Sequence, residues 1–230
     1  MKHFRKLRRT LKKLRLRPIE VFLFHQVSDA FDPATMKSGD WSQTDQFKAN
    51  VGKLSARYSW VTLDKAYGMM SKDRIRLRRY AALTSDDGWA SLKNILPWLN
   101  ERKIPVTLFV NPGYFDGRHY REKSTERYLS AEEIRSLDSA LVSVGLHGWE
   151  HVSAVSQTEE EFRESVSKTV AALSEYESYV PYFAYTYGAF DGSRNAVLEE
   201  AGLVPVLIDG ESNVDDISCI HRVLLDGKIL

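Results

Sequence analysis

With 230 residues, 43% of them apolar and 27% charged, the chain is long enough for one sizeable core and has the make-up of an ordinary soluble globular protein, so one domain is the default. No apolar run approaches the roughly 20 residues needed to span a bilayer, and the amino terminus lacks the apolar core of a signal peptide. The net charge of +1 conceals an asymmetry. Residues 1–17 hold nine Lys or Arg and no acid, leaving 23 basic against 31 acidic residues in the body.

Within that basic stretch Phe4, Leu7, Leu11 and Leu14 recur at helical steps, which puts them on one face with the cations around it. Pro18 stops the pattern. The expected division is a basic amphipathic tail over 1–17 and one domain over 18–230. Such a tail suits an anionic membrane surface, and a solvated extension fits the same residues. A nucleic-acid arm fits less well, because no basic groove follows in the acidic body. The single cysteine, Cys219, cannot form an internal disulfide. Together these features point to a cytoplasmic protein, peripheral to the membrane if the tail docks there.

Ile19 to Phe24 reads as a strand ending in the polar loop His25-Gln26-Val27-Ser28-Asp29, and a long loop runs on to Thr44. Thr44 is placed to cap a helix reaching about Tyr58, with Phe47, Val51 and Leu54 on its inner face. Trp60 to Leu63 reads as a short strand and Asp64 as the start of a short helix. An apolar strand, Tyr80 to Leu83, then stops at Thr84-Ser85-Asp86-Asp87-Gly88, and a helix follows from Ser91 to about Arg102.

Further strands are expected over 105–110, 141–146, 182–185, 204–208 and 217–225. Ser130 with Glu133 and Thr158 with Glu161 are capping boxes for helices. The second of these carries Phe162, Val166, Val170 and Leu173 inward, and Asp191 caps a last helix reaching Ala201. The alternation argues for a parallel α/β sheet or barrel. No Gly-rich phosphate loop interrupts it, so neither a dinucleotide nor a Walker site is supported.

Adjacent ionised aspartates at a strand end cost several kcal/mol each to bury without a partner, so they call for a cation. An ordinary Asp-Gly surface turn is the other reading of Asp86 to Gly88. The strand over 141–146 ends in His147-Gly148-Trp149-Glu150-His151. With Asp87 its two imidazoles make a two-histidine, one-carboxylate set that leaves positions open for water and substrate. His25, Asp86-Asp87, His147 to His151 and Thr186-Tyr187 each follow a strand directly. That places them together at the carboxyl-end face where α/β barrels carry active sites. Trp89, Trp149 and Tyr185 are candidates to line a sugar site or to pack in the core.

At these residues the chain resembles the polysaccharide deacetylases of carbohydrate esterase family 4, the NodB-homology group. Thr84-Ser85-Asp86-Asp87-Gly88 matches the first family motif, Thr-Phe-Asp-Asp-Gly, except at Ser85. His147-Gly148-Trp149-Glu150-His151 matches the second, His-Ser/Thr-x-x-His, except at Gly148. The third motif, Arg-x-x-Pro-Tyr, survives only in Tyr187, with Phe183 and Thr186 at its Arg and Pro positions. A counterpart of the later Asp-Trp motif is lacking.

Phe24-His25-Gln26-Val27 and Ile220-His221-Arg222-Val223 look like the opening and closing landmarks of the poly-N-acetylglucosamine deacetylase branch. The resemblance implies a distorted (β/α) barrel of the NodB type over about 19–225. It implies a divalent metal, zinc first, on Asp87, His147 and His151, with Asp86 as base, His25 as acid and the Tyr187 backbone N–H at the oxyanion. His221 is the alternative acid. With Phe183 in place of the family's arginine, Asp86 must be held by another group. The implied reaction is N-deacetylation of an acetamido sugar during surface-polysaccharide or glycolipid synthesis. A catalytically silent carbohydrate-binding relative and a metal-dependent esterase or amidase on a non-sugar substrate remain open.

Overall fold

A computed structural model describes residues 18–30, 41–70, 78–119, 126–211, 213 and 218–225. The basic tail lies outside the described residues. The first half contains strands β1 (Glu20–Phe24), β2 (Gln26–Val27) and β3 (Trp41–Ser42), helix α1 (Thr44–Ser55), β4 (Ser59–Trp60), α2 (Leu63–Met70) and β5 (Tyr80–Ser85). Then follow α3 (Leu96–Glu101), β6 (Val106–Val110), α4 (Ala131–Arg135), β7 (Val142–Leu146), α5 (Glu159–Leu173), β8 (Tyr179–Ala184), α6 (Gly192–Glu200), β9 (Val204–Ile208) and β10 (Ile220–Leu224).

Seven parallel strands run in the order β1-β10-β9-β8-β7-β6-β5, and β5 pairs back onto β1 from Glu20 opposite Ala81 to Phe24 opposite Ser85. This closes a distorted (β/α) barrel, as the sequence led us to expect. β4 pairs with the start of β5 and β6 with its end. The short parallel pair β2–β3, within what the sequence presents as loop, forms a separate sheet.

Alternation along the strands splits the apolar residues into two layers. Ile19, Val21, Ala82, Phe109, Tyr182, Ala184, Val206 and Ile220 fill the barrel, joined by Leu63, Ala66 and Met70 of α2. Tyr80, Val180 and Val204, at the starts of their strands, pack on the same cluster, so α2 closes the amino-terminal end. The opposite strand faces, with Phe22, Leu83, Leu108 and Leu146, pack on Phe47 and Val51 of α1 and Phe162 and Val166 of α5. The carboxyl-terminal mouth is left to the polar residues.

Both capping boxes form, Ser130 with Glu133 and Thr158 with Glu161, and Asp191 Oδ1 accepts from the Arg194 N–H at 2.9 Å. Other boundaries differ from the sequence reading for local reasons. Thr44 is the first helical residue rather than the cap, and its N–H donates to Asp29 Oδ1 at 2.9 Å. The Thr62 hydroxyl accepts from the Lys65 N–H at 3.2 Å, which starts α2 at Leu63 and ends the preceding strand early. The helix expected from Ser91 is a 3-10 turn, Ala90–Asn94, followed by α3. Pro97 forces the break, since its ring would strike the carbonyl four residues back in a continuous α-helix.

Gly145 lies where the barrel leaves no room for a side chain. It pairs with Phe109, and an added Cβ would lie 2.6 Å from Phe109 Cε1 and 3.0 Å from the Tyr182 carbonyl oxygen. Gly145→Ala is expected to destabilise the fold by about 1–3 kcal/mol, as overpacking does. Urea denaturation of the two proteins measures it.

Candidate active site

Inward-facing positions just after β5 and β7 and in the middle of β10 bring Asp86, His147 and Arg222 together at the mouth, and all three are at most 2% exposed. Arg222 forms a two-pronged ion pair with Asp86, Nη1 to Oδ1 at 2.6 Å and Nη2 to Oδ2 at 2.8 Å. Its remaining donors reach the Leu207 carbonyl and Thr84 Oγ1, both at 3.3 Å, and its guanidinium lies 5.2 Å from the Phe109 ring centre. Burial works against an ionised Asp86, but the Arg222 charge, His147, the Arg222 hydrogen bonds and His25 together hold its pKa below the ordinary carboxylate value.

Arg222 is the group that sequence reasoning missed. Its signal was an arginine beside His221 in a run, Ile220 to Leu225, whose other residues are apolar. Phe183, at the family's arginine position, points the other way, into the outer layer against Phe162 with ring centres 5.5 Å apart. The cation that Asp86 needs therefore comes from a different strand.

Asp87 has φ +72°, the left-handed region that L-residues rarely enter, and this turns its side chain away from Asp86 toward the histidines. Its buried Oδ1 has no hydrogen-bond donor and lies 3.4 Å from His147 Nε2 and 3.2 Å from His151 Nε2. Two donors each about 2.1 Å from one tetrahedral ion lie about 3.4 Å apart, so the spacing and the donor types fit a divalent metal. His147 Nδ1 is 2.7 Å from the Ala184 carbonyl, which can only accept, so Nδ1 carries a proton and Nε2 is the ring atom turned toward Asp87 and available to an ion. Burial pushes the His147 pKa down, but Asp86 and Asp87 outweigh it and the net shift is upward. Burial also opposes ionisation of Asp87, yet the two imidazoles and His25 bring its pKa well below the ordinary value.

The loop carrying the histidines is built for a sharp turn. Gly148 has φ +84°, and buried Asn111 donates to the His147 carbonyl at 2.6 Å and the Gly148 carbonyl at 3.1 Å. Thr186 Oγ1 donates to the Val152 carbonyl at 2.7 Å, tying this loop to the one that carries Tyr187. Tyr187 has φ +59°, is 71% exposed, and sets its ring edge-on to His151 with centres 4.6 Å apart.

His25 follows β1 at the same rim, near enough to both carboxylates to favour their ionised forms. His221 is elsewhere. It follows Ile220 and precedes the inward Arg222, and its Nδ1 is 2.7 Å from Asp209 Oδ2 in a separate group with Glu211. Tyr185 is fully buried with its hydroxyl on Asn195 Oδ1 at 2.8 Å, so it packs in the core and lines no sugar site. Trp89 is also buried, 6% exposed, and Trp149 is half-buried.

The family model described as polysaccharide deacetylase matches residues 74–206, more than half of the chain. The chain belongs to the polysaccharide deacetylase family. No curated protein matches it. Among solved structures it is similar to IcaB from Ammonifex degensii, with TM-score 0.77 and 22% identity over 92% of this chain and 93% of that one. It is also similar to the deacetylase PplD from Streptococcus pyogenes, with TM-score 0.73 and 15% identity over 90% and 92%. A third likeness is to a de-N-acetylase from Aggregatibacter actinomycetemcomitans, with TM-score 0.70 and 13% identity over 90% and 95%. At these identities the likeness establishes the shared fold.

Replacing Arg222 tests the clamp. Arg222→Met is expected to cost about 3–5 kcal/mol at neutral pH, because it leaves a buried carboxylate uncompensated. Adding Asp86→Asn to that variant should recover part of the loss, read as a coupling energy in a double-mutant cycle by chemical denaturation.

Proposed function

We propose that this polysaccharide deacetylase family member is a metal-dependent hydrolase that removes the N-acetyl group of an acetamido sugar in surface-polysaccharide or glycolipid synthesis. The observation that carries the reading is the separation of two adjacent carboxylates onto different partners. Asp87 faces His147 and His151, while Asp86 is clamped by Arg222. One carboxylate is suited to a metal and the other is kept ionised without one. A structural turn needs neither arrangement.

Asp87, His147 and His151 would hold the ion, zinc by donor type. When bound, a divalent ion polarises the acetyl carbonyl and makes water a stronger acid. Asp86 is the general base: its depressed pKa keeps it ionised at neutral pH, and its two hydrogen bonds to Arg222 fix its direction. Removal of the attacking water's proton to Asp86 is the step this geometry serves. The Tyr187 N–H, at a left-handed turn over His151, is the oxyanion donor in this reading. His25, across the rim, gives the proton to the departing amine. Acetate and a free amino sugar are the products.

Acetate release from N-acetylglucosamine oligomers, with and without chelator, tests the activity. Asp86→Asn should retain metal but lose about 10²–10⁴-fold in rate, as removal of a general base does. Asp87→Asn, His147→Ala and His151→Ala should lose metal stoichiometry itself. Equal metal loss in the Asp86 and Asp87 variants would reverse the two roles.

Residues 18–230 form the catalytic domain in this reading, and the basic segment 1–17 docks it on the cytoplasmic face of an anionic membrane. Among the described residues no helix is long and apolar enough to cross a membrane. Each juxtamembrane cation contributes on the order of 1 kcal/mol at an anionic leaflet, so half of the nine suffice for reversible binding. Deleting residues 2–17 should abolish co-sedimentation with anionic vesicles at low salt and leave turnover of a small soluble substrate unchanged.

A further inference from the structure

Three aromatic rings stand in a row beside the histidines and aspartates, and their polar ends meet two of the three candidate ligands. At one end Trp89 Nε1 donates to Asp87 Oδ2 at 2.9 Å. The indole stacks on Tyr128, with centres 4.7 Å apart and planes 17° from parallel. Tyr128 stacks in turn on Tyr114, at 4.5 Å and 30°. At the far end the Tyr114 hydroxyl oxygen accepts from the His151 backbone N–H at 3.2 Å. We propose that this three-ring stack is a spacer that fixes Asp87 and His151 relative to each other and so sets the affinity of the site for its ion; the inference rests on the metal-site reading above.

The chemistry at each end supports it. An aspartate whose Oδ2 is engaged by an N–H turns Oδ1 to an ion, with the carboxylate plane fixed. Asp87 needs such a constraint, because its left-handed backbone gives the side chain no support from a regular strand or helix. At the other end a hydrogen bond to the His151 backbone fixes where that residue leaves the loop. The rings between transmit position, since Trp89 and Tyr128 are each only 6% exposed and have no room to slide.

The strap that supplies Tyr128 is pinned to the acidic loop over residues 126–129. Trp89 and Tyr128 form a backbone bridge, the Leu129 N–H donates to the Gly88 carbonyl at 2.8 Å, and the Ala90 N–H donates to the Arg127 carbonyl at 2.9 Å. Glu126, next in the strap, accepts from the Ser91 N–H at 3.2 Å and from Gln26 Nε2 at 2.6 Å. Gln26 adjoins His25, so the same strap also steadies the His25 side of the rim. On the outer side the Arg118 guanidinium covers the Tyr114 ring at 5.4 Å.

The test is the zinc dissociation constant of the full chain, measured by competition with a chromogenic chelator. Replacing Trp89 by its sulfur isostere benzothienylalanine keeps the ring and the stack and removes only the N–H. Tyr114→Phe keeps the ring and removes only the acceptor. Each is expected to weaken zinc by about 10–100-fold, the usual effect of losing an outer hydrogen bond to a metal ligand. The unfolding midpoint of the metal-free protein should stay at the wild-type value. Zinc affinities of both variants equal to wild type overturn the proposal, whatever happens to turnover. A wild-type chain that takes up no zinc overturns the metal-site reading, and the proposal falls with it.

Discussion

The buried ion pair between Asp86 and Arg222 is the constraint around which the mouth of the barrel is arranged. Both groups are withdrawn from water, so each is tolerable only in the presence of the other. The pair links β5 to β10, the two strands that flank β1, where the first and last parts of the chain meet to close the barrel. Closure and site assembly are therefore one event. Until β10 docks on β1, Asp86 lacks the guanidinium that orients it as the base of the proposed reaction.

A second consequence concerns the division of labour between adjacent residues. Along a regular strand, neighbours point to opposite faces, so Asp86 and Asp87 would ordinarily separate into barrel and outer layer. The strand instead ends at Ser85, and Asp87 takes a left-handed conformation that returns its carboxylate to the mouth. The price of that conformation is local strain, offset by the Trp89 hydrogen bond and by the two imidazoles facing Oδ1. Two carboxylates within one dipeptide thus have unlike environments, one paired with a guanidinium and the other directed to the histidines.

At the third family motif the partner of Asp86 comes from a different strand than the family pattern implies. Phe183 cannot reach Asp86 even in principle, because its position on β8 faces Phe162 and Tyr185 in the outer layer. Arg222 enters from β10 and supplies the same fork of donors from within the barrel. The remaining member, Tyr187, keeps its place because its backbone conformation, rather than its ring, follows from the Thr186-Tyr187-Gly188 turn.

By itself the sequence determined what is local. The order of the barrel strands and of the main helices, both capping boxes, the Asp191 cap, and the placing of His25, Asp86-Asp87, His147, His151 and Tyr187 at strand ends all follow from periodicity and short motifs, because those depend on neighbours within a few residues. The register that closes the barrel, the left-handed turn that parts the Asp86 and Asp87 side chains, and the choice of Arg222 were decided only by tertiary structure. Asp86 and Arg222 lie 136 residues apart, and nothing in either neighbourhood specifies the other. Their pairing is fixed by strand register and inward parity, and by the cost of leaving either charge buried alone. The ring stack from Asp87 to His151 is of the same kind: Trp89, Tyr128 and Tyr114 are ordinary aromatics in sequence, and only the fold brings their faces together.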